Sequence, residues 1–301
     1  MHTSLRILSI LLAGAAPSAC DAATPKKAVP AKAVAKPAPP PRPVQPVGLF
    51  RLDRAPEQGS LARGIVPPGT VRLVMNGQNI DLAPDGRFLI GFGRDFDATA
   101  IIVAYKSDGT NVSERLPVAK RAWHVENLKT VQRYSQPDAE FQARRPGELD
   151  QINAARRMAI QSDGWRQKMI WPAKGRISGF FGSQRIYAGE PGSPHSGVDI
   201  ARPTGTPVVA PADGVVILAA QEPFTLEGRL LMIDHGMGLN SAFLHLSRID
   251  VAEGQVVTRG QVVGAIGTTG RSTGAHLHWG MKLGDVRIDP QLLVGPMPTQ
   301  P

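Results

Sequence analysis

Residues 275–281, AHLHWGM, set two histidines one residue apart among apolar neighbours. As an extended strand this stretch sorts cleanly. Ala275, Leu277, Trp279 and Met281 fall on one face and His276, His278 and Gly280 on the other, because successive side chains alternate. The first face needs a hydrophobic core beneath it, and the second is either a site or simply turned to water. The stretch 241–247, SAFLHLS, reads the same way, with Ala242, Leu244 and Leu246 forming an apolar face and Phe243, His245 and Ser247 the opposite one. Two such strands can contribute to one groove. His235, in LLMIDHG, shares a face with Leu231 and Ile233 and reads as a buried, hydrogen-bonded residue outside any site.

At 301 residues and 42% hydrophobic content, the chain is long enough for two domains with a core in each. Lys and Arg number 34 against 25 Asp and Glu, a balance that by itself fits nucleic acid, an anionic membrane or an anionic polymer. Residues 171–294, however, hold ten of each sign, so the excess lies upstream, and no motif that reads RNA or DNA accompanies it. Nucleic acid is therefore not an expected partner.

Residues 1–20 read as an export signal, with Arg6 ahead of an apolar run over 7–16 that is too short to span a membrane, then small residues. This places the chain in the periplasm or cell envelope. Cys20 is the only cysteine, which excludes an intramolecular disulfide and a cysteine-based metal site. The preceding PSA makes it a candidate lipoprotein processing site and hence a membrane anchor. Residues 21–47, almost entirely Ala, Pro, Lys and Val, form a tether that cannot bury a core.

Residues 48–128 alternate in short segments broken by Asn76-Gly77, Asp85-Gly86 and Asp108-Gly109, the pattern of a small β-sandwich. Its lone His124 reads as structural. A helical connector is expected over 129–170, with Leu149, Ile152, Ala155 and Ala159 at helical spacing after Pro146 and with Arg156 and Arg157 on its solvated side. Residues 171–294 again read as mostly antiparallel β, followed by a tail over 295–301.

Five of the seven histidines lie between His195 and His278. In HSGVD, His195 and Asp199 would have Cα atoms about 13 Å apart if fully extended, so the chain must bend near Ser196-Gly197 for both to reach one ion. On one strand face, the Cα atoms of His276 and His278 lie about 6 to 7 Å apart, so one can hold a metal while the other leans over whatever the metal binds. Together with His245, these elements suit a catalytic zinc centre with three protein ligands and one position open to water. Two histidines and a carboxylate leave the ion a net positive charge, which draws the pKa of that water towards about 7. No H-E-x-x-H helix is present, so proton transfer falls to imidazoles not spent on the ion.

HSGVD, AFLHLS and GTTGRSTGAHLHWG, in this order, resemble the M23 peptidases, the lysostaphin or LytM type of zinc endopeptidase that cuts the peptide part of bacterial peptidoglycan. The resemblance covers residues 177–290. It implies an antiparallel β-sheet peptidase domain, which with the small β-sandwich and the connecting helix read from the upstream residues makes a mainly β chain. It further implies one zinc ion held by His195, Asp199 and His278, with His245 and His276 beside the water and the scissile carbonyl as general base or oxyanion stabiliser. The implied groove, walled by loops, would take an extended peptidoglycan peptide. Arg185 and Arg271 are candidate clamps for a carboxylate of that peptide. Phe243 stands where many relatives have tyrosine, and Ala275 where many have proline. A second reading, a non-enzymatic regulator that binds and activates a murein hydrolase, is expected to show lost ligands, and here all five positions are kept.

Overall fold

The computed structural model describes residues 49–129, 138–158 and 160–298. The export signal, Cys20 and the tether lie outside the described residues, as do 130–137 and Ala159 of the connector and 299–301 of the tail. All described residues belong to one compact unit, Gln45–Pro301, and the architecture is mainly β.

In the N-terminal part, Asn76 and Gly77 both adopt positive φ, the two-residue turn whose twist suits a hairpin. They join Thr70–Met75 to Gln78–Ile80. This hairpin forms a four-stranded sheet with Thr99–Lys106 and Asn111–Pro117, and a second sheet holds Arg51–Leu52, Leu61–Ile65 and Arg87–Gly91. Leu73, Ile102 and Leu116 of one sheet share a core with Ala62, Phe88 and Ile90 of the other. The outward side of the second sheet does not stop at water: Leu61 and Leu89 join the core of the C-terminal part. Arg63 Nε donates to the Trp165 carbonyl at 2.8 Å, and the Asp289 N–H donates to the Gly59 carbonyl at 2.8 Å.

The helix runs over Ala139–Arg156, starting seven residues ahead of the position that Pro146 suggested. Asp138 caps it by accepting from the Phe141 N–H at 2.8 Å, and Pro146 is accommodated within the helix. Ile152 and Ala155 do face inward, against Leu218, Phe224, Leu230 and Met232 of the C-terminal sheet. Two expectations are corrected. Leu149 is exposed, and Arg156, expected in water, is half-buried with its Nε fully so. The helix packs on the sheet through Ile152 and Ala155, which covers Arg156, while Leu149 lines the open cleft beside it.

The C-terminal part is built on one large sheet. Its main path runs through Val256–Val257, Gly214–Phe224, Gly228–Asp234, Leu239–Ile249, His276–Leu283, Gly197–Ala201 and Arg176–Gly179, all paired antiparallel. One face buries Val198, Ile200, Leu231, Ile233, Phe243, Leu277 and Trp279 in the main core. Trp279 packs edge-on to Trp171 with ring centroids 6.0 Å apart. The opposite face carries the Ala139–Arg156 helix over one end of the sheet and leaves the middle open.

Candidate metal centre

His276–Leu283 is the central strand of the site, and its alternation is as read from the sequence: Leu277, Trp279 and Met281 are buried in the core while His276, His278 and Gly280 face the other way. Its neighbours are in register, with Asp199 opposite His278 and Gly179 opposite Asp199. Cross-strand partners on one face hold their Cβ atoms about 4.5 to 5.5 Å apart, so Asp199 and His278 meet without any loop to guide them. His195 lies outside the strand. Its N–H donates to the Ser183 carbonyl at 2.8 Å and its carbonyl accepts from the Gly182 N–H at 2.9 Å, which turns the chain off the strand line ahead of Gly197 and brings the imidazole back over Asp199.

His195 Nε2, Asp199 Oδ1 and His278 Nδ1 form a triangle with sides of 3.1, 2.9 and 3.1 Å. Ligands about 2.0 to 2.1 Å from a tetrahedral ion stand about 3.3 Å from one another, so the triangle is a few tenths of an ångström tighter than a loaded site. Two imidazoles and a carboxylate are also the donor set that borderline divalent ions such as zinc favour. The residues present fit a metal ion. Burial works against charge on Asp199, yet bonds and charges from His195 and His278 hold its carboxyl well below the usual range. Burial pulls the His195 imidazole down, and the bond and charge of Asp199 together with the Phe180 and Gly197 backbone more than offset this, leaving it raised. His278 is lowered by its burial against the pull of Asp199.

The tautomers follow from the partners. His195 Nδ1 lies 3.1 Å from the Phe180 carbonyl, His245 Nδ1 lies 2.9 Å from the Thr269 carbonyl and His276 Nδ1 lies 2.8 Å from the Gly274 carbonyl. A carbonyl only accepts, so each Nδ1 carries a proton, and in the neutral imidazole, the form that binds a metal, each Nε2 presents a lone pair. For His195 that lone pair faces the triangle. For His276, Nε2 is 3.8 Å from Asp199 Oδ1. The His245 and His276 rings stack obliquely with centroids 4.8 Å apart, and His245 is 6.4 Å from His278. Burial pushes the His245 imidazole down to about 4, so it is neutral at pH 7.

His245 reaches this place by a route that simple alternation misses. Phe243, expected beside it, is fully buried in the main core opposite Trp279, while Ala242 and Leu244 pair with Gly280 and His278 on the site side. Between Arg229 and Leu231 of the next strand, the His245 strand advances from Leu246 to Phe243, three residues against two. His245 takes φ of 65° at this β-bulge, and the extra residue flips the alternation. Leu246 therefore rejoins Phe243 in the core. His235 is buried as expected, with Nδ1 2.8 Å from the Asp213 carbonyl and Nε2 2.8 Å from Ser241 Oγ.

The two arginines do not join the centre. Arg185 donates to Glu126 at 2.8 Å across the parallel pairing of Gln184–Tyr187 with Val125–Leu128. Arg271 is exposed in the turn before the histidine strand, its N–H donating to the Leu226 carbonyl at 3.0 Å. Neither lines the two clefts that flank the ligands, one bounded by His278, Gly280 and the helix, the other by His195, Phe181 and residues 93–96. Two glycines contribute support, Gly197 at the expected bend and Gly179 unforeseen. A Cβ on Gly179 would overlap Asp199 Oδ2, and one on Gly197 would sit 2.8 Å from His278 Nε2. Gly179 shows no local pattern that marks it, since it matters through its missing side chain.

Comparison with known proteins places this geometry. Residues 193–290, which include all five positions, match the model of peptidase family M23. Over 108 residues the chain is 44% identical to the peptidoglycan DD-endopeptidase ShyA of Vibrio cholerae, covering 36% of this chain and 25% of that protein. Over 104 residues it is 40% identical to the DD-carboxypeptidase/endopeptidase Mpg of Neisseria meningitidis, covering 35% and 24%. The chain thus spans about a quarter of the length of these relatives. A crystal structure described as a peptidase M23 from Pseudomonas aeruginosa superposes with a TM-score of 0.59 at 29% identity, covering 80% of this chain and 95% of that one. The order of motifs, the converging ligand atoms and the matched segment agree: over residues 193–290 this chain carries a domain of peptidase family M23.

Proposed function

We propose that this chain is a zinc-dependent endopeptidase that hydrolyses amide bonds in the stem peptides or cross-links of peptidoglycan. The observation that carries the reading is the triangle of His195 Nε2, Asp199 Oδ1 and His278 Nδ1, with two further imidazoles, His245 and His276, on its open side. The names of the relatives support the substrate class. An export signal and a lipidated Cys20 would place the enzyme at the cell envelope, where that substrate lies.

His195, Asp199 and His278 would hold one zinc ion, which would supply a Lewis acid able to acidify water and polarise an amide carbonyl. The chain's own groups do the rest. The Phe180 carbonyl fixes His195 with its lone pair towards Asp199, and Asp199 provides the negative charge that retains a cation. His245 is neutral, with Nδ1–H anchored on Thr269, so its Nε2 can take a proton from the attacking water. His276 is anchored likewise on Gly274. Once either imidazole is protonated, its Nε2–H becomes a donor that can stabilise a developing oxyanion or pass the proton to the leaving nitrogen.

The test combines metal analysis with product release. The purified chain should retain about one zinc per molecule, release peptides from sacculi, lose both on chelation and regain both with zinc. His278→Ala should bind little zinc and release nothing. Unchanged hydrolysis by that variant would remove the metal-dependent mechanism, and a zinc-loaded wild type that releases nothing would count for a binding role instead.

A further inference from the structure

The histidine strand carries its alternation outward beyond the metal ligands. His278, Gly280 and Lys282 share one face and line one cleft of about 150 Å³. At about 3.3 Å per residue, Lys282 stands roughly 13 Å from His278 along the strand. Gly280 keeps the floor between them bare. The cleft is closed on its far side by the Ala139–Arg156 helix and ends among three cations: Lys282, Arg287 and Arg156 from the last helical turn.

This cluster is unfavourable as it stands. Lys282 and Arg287 are direct cross-strand partners, and like charges placed opposite one another destabilise a sheet. Arg156 is half-buried, and its Nε is buried without a hydrogen-bond partner. Burial, with the neighbouring Arg287 next, draws the Arg156 guanidinium down, and burial followed by Arg156 does the same to Lys282. The carboxylates nearby leave the charge largely unmet. Both oxygens of Glu227 are taken by Arg145, at 2.6 and 2.8 Å, and the fully exposed Asp285 touches Lys282 only at 3.4 Å. Among the described residues, neither Arg156 nor Arg287 has an ion pair. Two guanidinium groups without an ion pair, beside a lysine whose one carboxylate is fully exposed, at the end of a cleft that starts at a metal ligand call for an anion.

We propose that Arg156, Lys282 and Arg287 form a carboxylate-binding subsite that holds an acidic group of the peptide substrate about four extended residues from the bond that is cut. The inference rests on the peptidase reading for the identity of the ligand. Two guanidinium forks and an ammonium provide directional donors that match a carboxylate. The helix thereby becomes part of the substrate site, because one of the three donors comes from it.

Binding is measured by calorimetry on the full chain after removal of metal by chelation, so nothing is turned over. The probes are N-acetyl-L-Ala-γ-D-Glu-L-Lys-D-Ala and two analogues, one with the terminal carboxylate and one with the glutamate α-carboxylate replaced by a carboxamide. The acid should bind about 10-fold or more tighter than one of the two amides, as expected for charge-assisted hydrogen bonds. The amide that loses affinity identifies which carboxylate is held. In the Lys282→Gln/Arg287→Gln double variant that advantage should fall to about one-fold. Should the double variant melt early, Arg287→Gln alone, at an exposed position, carries the comparison. Equal binding of all three probes, no binding of any, or an advantage that survives both substitutions would overturn the proposal. The peptidase reading fails separately, by the absence of released peptide from zinc-loaded wild type.

Discussion

Residues that touch no substrate set the quality of this centre. Gly179 lies opposite Asp199, where any side chain would overlap the carboxylate. Gly179→Ala should therefore leave the fold intact by circular dichroism while weakening zinc retention about 10-fold or more, read by titration against a competing chelator. Asp234 and His235, buried side by side behind the site, make a test of linkage. Burial pushes the Asp234 carboxyl up to about 6 and the His235 imidazole down to about 4. As pH falls from 6.5 to 4, unfolded His235 takes its proton first, which costs stability. Over nearly the same window, folded Asp234 takes its proton first, which restores it. The two largely cancel, so Asp234→Asn should uncover the histidine. Its stability relative to wild type should drop by about 3 kcal/mol between pH 7 and pH 4, at about 1.36 kcal/mol per pKa unit. Denaturant midpoints across that range give the measurement, and parallel curves for the two proteins would contradict it.

At the scale of elements, the helix and the bulged strand decide what the sheet can offer. The helix is held by Ile152 and Ala155 against the sheet and by Glu148, itself buried, which accepts from Thr225 N at 2.8 Å and Thr225 Oγ1 at 2.6 Å. Arg145 adds its two bonds to Glu227. Glu148→Ala would take the acceptor from both the N–H and the hydroxyl of half-buried Thr225, so a loss of about 1 to 3 kcal/mol is expected. Hydrogen exchange should rise specifically over 139–156, the stretch that walls the cleft. The bulge does comparable work for His245. Its φ of 65° is a conformation that residues other than glycine seldom adopt, and the Glu227 carbonyl, which accepts from its N–H at 2.8 Å, helps to hold it.

For the molecule as a whole, the N-terminal β region packs as part of the structure under the site. Leu61 and Leu89 contribute to the main core, Trp165 and Met169 complete it, and Arg121 pairs with the buried Asp289 at 2.8 Å. Removing one partner of such a pair strands the other without compensation, so Arg121→Ala should cost about 3 kcal/mol or more. Asp289 is already raised by its burial, with Arg121 opposing that rise. By the same reasoning, a fragment of residues 171–301 should melt well below the full chain, since it gives up Trp165, Met169 and the two leucines together. Equal melting temperatures would show that these contacts carry no stability.

The amino-acid order alone determined what is periodic and local. Alternation in 275–281 placed His276 and His278 on one face, turn pairs marked the hairpins, and the buried role of His235 followed from its apolar neighbours. The resemblance of three ordered motifs named the ligand positions, and the structure converges them. What the tertiary structure decided depends on partners far apart in the chain. The bulge that turns His245 to the site is seen only against the neighbouring strand, where three residues match two. Arg156 reads as solvated until a sheet more than 50 residues away covers it, and Arg185 reads as a clamp until Glu126 occupies it. Side-chain periodicity is written into successive residues, whereas charge compensation and close approach depend on which distant residues the fold makes neighbours.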